Sequence, residues 1–98
     1  MNIQAMMKQA QKLQKDMMKE KNAIDEMEFT GTSSFVSITM KGTKEVTKVK
    51  IDAEKIENDE IEMLEDMILV ALNEANTKVD QTTEEKMGKY TQGMPGLF

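Results

Sequence analysis

Two stretches of helical periodicity on either side of a segment rich in β-branched residues predict an α+β fold: a long N-terminal helix, a three-stranded antiparallel sheet and a C-terminal helix or helices. In the first stretch Ile3, Met6, Ala10, Leu13, Met17, Ile24 and Met27 recur at steps of three and four, with Glu20 in the one missing slot. In the middle, Val36, Ile38 and Met40 alternate with Ser37, Thr39 and Lys41. In the last, Ile61, Leu64, Ile68, Ala71, Leu72, Ala75 and Val79 return to helix spacing.

The first helix is expected over residues 2–27, about 38 Å at 1.5 Å per residue. Its apolar positions form a heptad-like seam. Lys8, Lys12, Lys15 and Lys19, at steps of 4, 3 and 4, gather into a stripe on the opposite side of the same helix. An amphipathic helix needs a polar face in any case, and lysine is a good helix former, so spacing alone does not separate a solvated face from a binding one.

The next residues, "EFTGTSSFVSITMKGTKEVTKVKID", read as strands between 28 and 51. A first strand covers Glu28 to Ser33, and the turn "KGTK" joins the other two at Gly42. Such a meander has one apolar face and one face of Ser, Thr and Lys. A helical segment follows over residues 59–89, its start marked by Asp59 with Glu62 in capping-box position. "DQTTEEKMGKY" either extends that helix or begins another at Thr83. Residues 1–90 thus make a single domain, and 91–98, "TQGMPGLF", read as a flexible tail.

Composition narrows the function. The chain has 98 residues, no cysteine and no histidine, which removes thiolate and imidazole chemistry, disulfides and the commonest metal ligands. Its glycines match no phosphate-binding loop. The acidic run "ENDEIEMLED" lacks the glycine turn of a calcium loop and suits a helix start. We therefore expect no enzyme, no cofactor, no metal and no small-molecule substrate. No secretory leader or membrane-spanning apolar run is read, so a cytoplasmic location without membrane contact is expected.

Charge is divided along the chain. Residues 1–51 carry nine Lys against six acids (+3), and residues 52–98 carry four Lys against twelve (−8), for a net −5. All thirteen basic residues are lysine, and without Arg the bidentate fork that best reads guanine is missing. Strands of about seven residues span roughly 23 Å, so the first helix must overhang its sheet and leave part of its seam wet. A second copy of the chain would cover that seam and the sheet edges, which predicts a homodimer with projecting helices.

Read in order, "QAMMKQAQKLQKDM", "EMEFTGT", "VKID", "DEIEMLEDMILVALNEA", "EEKMGK" and "GMPGLF" resemble the bacterial YbaB/EbfC family of nucleoid-associated proteins over nearly the whole chain. The resemblance implies a tweezer-like homodimer that binds DNA and serves nucleoid organisation, gene regulation or recombination and repair. The sequence departs from the family in "SSFVSI", where Phe35 stands in a stretch commonly rich in glycine. The expected partner is double-stranded DNA, contacted mainly through phosphates by Lys8, Lys12, Lys15 and Lys19, with Lys41, Lys44, Lys48 and Lys50 adding charge from the sheet. An alternative is a protein-interaction adaptor or clamp that holds a partner through Met7, Met18 and neighbouring apolar surface.

Overall fold

A computed structural model describes residues 2–92, with side-chain surroundings for 2–90. Helix α1 spans Ile3–Glu26, strands β1 Glu28–Ser33, β2 Val36–Lys41 and β3 Val46–Ile51 follow, and a short 3-10 turn at Asn58–Glu60 leads into helix α2, Ile61–Gln92. The α+β reading is the observed architecture, and α1 and the first strand fall within a residue of their expected bounds.

Asn2 starts α1. Its side-chain oxygen accepts from the Gln4 and Ala5 amides at 3.1 and 3.3 Å, satisfying two of the donors that a helix leaves without partners at its first turn. At the other end Met27 turns extended, its N–H bonded to the Ile24 carbonyl. The Met27 carbonyl then accepts from Gly42, which pins the helix end to the β2–β3 turn. That turn uses Gly42 for proximity: a Cβ there would collide with the Ile24 carbonyl. The left-handed backbone falls instead on Lys44, at φ 74°.

The strands pair antiparallel in the order β1-β2-β3. Because directly opposed residues share a face, the register puts Phe29 beside Met40 and Gly31 beside Ile38 on the inner side, and Thr30 beside Thr39 on the outer. Val36, Ile38 and Met40 are fully covered, which fits a central strand under a helix. Phe35, the departure noted above, packs against the cluster of Val36, Ile38 and Ala71 and leaves the strand start at Val36.

Helix α2 lies over β1 and β2 but not β3. Its buried positions there are Ala71, Ala75 and Val79, with Leu64, Met67, Ile68 and Leu72 closing the sides. Small residues at 71 and 75 let the helix backbone approach the strand at Gly31. The helix runs uninterrupted through Thr83, so no separate last helix forms. Its entry differs from expectation: the 3-10 turn shifts the exposed donors upstream, and Glu57 with Glu60, not Asp59 with Glu62, forms the reciprocal cap, the Glu57 amide donating to Glu60 Oε1 at 3.2 Å. Thr91 and Gln92 are helical rather than part of a tail, and residues 93–98 of the expected tail lie outside the described residues.

At 32 residues α2 is about 48 Å long, twice the length of the sheet it covers. Beyond the sheet it runs back along α1, and the two form an antiparallel arm through Ile24, Met87 and Tyr90, with Leu13 and Met17 packed on them. The radius of gyration is 19.5 Å, against about 13 Å for a compact chain of this size.

Candidate nucleic-acid interface

Residues 3–12 of α1 reach past this packing, and within the whole helix only Ile24 is buried. The arm therefore has one covered side and a wide exposed one. Leu13, Met17 and Ile24 set the covered side. At 100° per residue Lys8, Lys12, Lys15 and Lys19 point roughly 150° away from it. All four are exposed, and none forms an ion pair among the described residues. The expected opposition of stripe and seam is thus the observed geometry.

The surroundings leave this charge uncompensated at the free end. The first carboxylate in the sequence is Asp16, so residues 2–15 hold three lysines and no acid. The first turn also lacks the acidic residues that usually complement the positive end of a helix dipole. In a chain of net charge −5, this end of α1 is a stretch of purely positive charge.

Nearer the sheet the picture changes. Glu20, half-buried between the helices, accepts from Lys89 Nζ at 3.3 Å and from the Tyr90 hydroxyl at 3.4 Å. The Lys89 ammonium stands 5.1 Å from the Tyr90 ring centre. The hydrogen bond and charge of Glu20 hold the Lys89 pKa above its ordinary value. Lys89 lines the same shallow hollow as Lys19, so α2 contributes a cation at the base of the stripe. This cluster was not legible beforehand, because it joins residues seventy positions apart; the one sequence signal was Glu20 interrupting the seam.

The sheet lysines do not form one group. Lys48 pairs across the strands with Thr39, and Lys50 with Ser37, on the outer face. Lys41 shares that face beside Glu28. Lys44 turns toward the helix side and forms an ion pair with Asp80 at 2.9 Å. It is separated from the other three and partly neutralised.

The apolar surface departs most from the expected arrangement. The second half of the α1 seam is covered by the same chain, through Met87 and Tyr90, rather than left for a partner. What stays exposed lies elsewhere. The register carries Val49 and Ile51 onto the inner sheet face opposite Ile38 and Val36, yet α2 does not reach them, and they are 53% and 39% exposed. Val46 at 43% continues the row. Leu69 and Val70 on α2 are also more than half exposed, as are Met7 and Met18 on α1. Among the described residues no cluster of acidic groups suits a metal ion, and no helix is long and apolar enough to cross a membrane.

The arm and its lysine row are thus set on a three-stranded sheet. The chain belongs to the YbaB/EbfC DNA-binding family, whose model matches residues 1–94. It is 41% identical over 99 residues to a nucleoid-associated protein of Ligilactobacillus salivarius, covering 99% of this chain and 95% of that one. It is 40% identical to a nucleoid-associated protein of Enterococcus faecalis, over 98% of this chain and 94% of the relative. A nucleoid-associated protein of Alkaliphilus metalliredigens is 43% identical over 99% of this chain and 89% of its own.

Proposed function

We propose that this protein is a cytoplasmic, nucleoid-associated DNA-binding protein that acts as a homodimer and contacts duplex DNA mainly through the phosphate backbone. The observation that carries the reading is the α1 stripe: Lys8, Lys12, Lys15 and Lys19 are exposed, point away from the packed side of the arm and have no carboxylate partner among the described residues. The row spans about 16 Å along the helix, a few phosphate spacings on one strand. Lysines of this kind act as point charges, so they set position and affinity and carry little sequence information. Family membership and the names of the relatives support a nucleoid-associated DNA-binding protein; roles in nucleoid organisation, gene regulation or recombination and repair are part of the proposal.

The dimer is supported by exposed apolar area next to an unpaired edge. Val46, Val49 and Ile51 extend the inner sheet face past α2 on a strand whose outer edge has no neighbouring strand among the described residues. A two-fold partner seated there would cover these side chains and leave both arms free, which favours β3 over the α1 seam as the interface.

Salt-titrated binding to unrelated duplexes tests the reading. With six to eight phosphates neutralised per dimer, log affinity falls against log salt with a slope of about −5 to −7. A variant with Lys8, Lys12, Lys15 and Lys19 all changed to Gln stays folded and loses DNA. A slope near zero, or unchanged affinity in that variant, would remove the function from this helix and favour an adaptor working through Met7 and Met18.

A further inference from the structure

We propose that the face of α1 beside the lysine stripe reads adenine in the major groove through Gln4, Gln11 and Gln14. This inference rests on the phosphate-binding reading above and adds a source of sequence preference to it. Gln4, Met7, Gln11, Gln14 and Met18 follow one another at steps of 3, 4, 3 and 4, which makes a second continuous row on the helix. At 100° per residue that row lies between the lysines and the packed side, directly adjacent to Lys8 and Lys15. All five side chains are exposed. Gln11 and Gln14, together with Lys15, Met18, Lys19 and Asn22, also line one open hollow on the helix surface.

The row is neutral, carrying amides and thioethers rather than charged side chains. None of the three glutamine side chains forms a hydrogen bond within the chain among the described residues, so each keeps a free donor and acceptor. A glutamine amide matches the N6 donor and N7 acceptor of adenine bidentately, and an apolar side chain such as Met7 suits the methyl group of the paired thymine. The arrangement also fits the groove. A bare helix is about 10–12 Å across with side chains, and the major groove is about 12 Å wide. Among the described residues, 3–12 extend past the cluster in which α2 packs on α1, and all of them are exposed. With the amide row facing the base edges, Lys8 and Lys15 lie against the phosphates of the groove wall. Arginine is not required for this mode, since its target is guanine.

The test uses the full-length protein and two duplexes of identical sequence, one with adenine and one with 7-deazaadenine. The replacement removes the N7 acceptor from the major groove while keeping Watson–Crick pairing and the minor-groove edge. The wild-type protein is expected to bind the substituted duplex roughly fivefold or more weakly. A Gln4→Ala, Gln11→Ala, Gln14→Ala variant is expected to bind both duplexes alike, with an unchanged salt slope, and it remains folded because alanine is the better helix former at an exposed position. Equal binding of both duplexes by the wild-type protein, with a salt slope of about −5 to −7, would overturn the adenine reading and leave the phosphate reading standing. Discrimination that persists in the triple variant would overturn it as well. Absence of salt-sensitive binding to either duplex would overturn both.

Discussion

Gly31 of β1 lies so close beneath α2 that a Cβ on it would stand 2.6 Å from the Ala75 amide nitrogen and press against the Ala71 carbonyl. Both neighbours are helix backbone, which cannot rotate out of the way as a side chain can. Gly31→Ala must therefore lift α2 off the sheet, loosening the cluster of Val36, Ile38 and Ala71. We expect a loss of about 1–3 kcal/mol or more. Urea or thermal unfolding checks it, and an unchanged melting temperature would contradict this account of the helix–sheet approach.

The Glu20 carboxylate ties α2 to α1, and its pH dependence has a definite sign. Lys89 gains a partner on folding and its pKa is raised, so the pair stabilises the arm from neutral pH up to the unfolded lysine pKa. That contribution disappears as pH climbs through the raised value. Comparing the wild-type protein with Lys89→Met by urea unfolding should show a difference at neutral pH that vanishes as the pH is raised into strong alkali. Disappearance of the difference near neutrality would mean that another group carries it.

Val49, half exposed on the inner face of β3, offers a selective probe of the proposed dimer. Val49→Asp leaves the monomer core intact because α2 does not cover that position. If β3 is the seat of a second copy, burying a carboxylate there raises the dimer dissociation constant by about tenfold or more, the equivalent of losing one buried valine. Sedimentation velocity reads this directly. A stable dimer in the variant would move the interface to another surface.

Individual lysines should separate by their surroundings. Lys15→Gln removes one phosphate contact per protomer, two per dimer, and should flatten the salt slope by about 1.8. Lys44→Gln should change it much less, since Asp80 already stands 2.9 Å from that ammonium. Equal effects from the two substitutions would mean that DNA reaches the β2–β3 turn.

Residue spacing along the chain was enough to establish the helix–sheet–helix order, the α1 and strand bounds and the placement of four lysines opposite the apolar seam. Each follows from a period of 3.6 or 2 carried by adjacent residues, and local periodicity survives whatever the distant chain does. The helix entry at Glu57 was missed because a single 3-10 turn shifts a cap without altering the apolar pattern. The amide row was present as plain spacing, hidden because glutamine carries neither charge nor strong hydropathy. Only the tertiary structure decided which apolar residues are covered. Val49 and Leu13 look alike as members of apolar patterns, yet α2 ends its sheet contact short of β3 and then runs back along α1, leaving the first wet and packing against the second. It also brought Glu20 to Lys89 and Lys44 to Asp80, pairs far apart along the chain. The length and path of one helix, rather than any motif, set both outcomes, because burial depends on what lies across the gap and not on the residue alone.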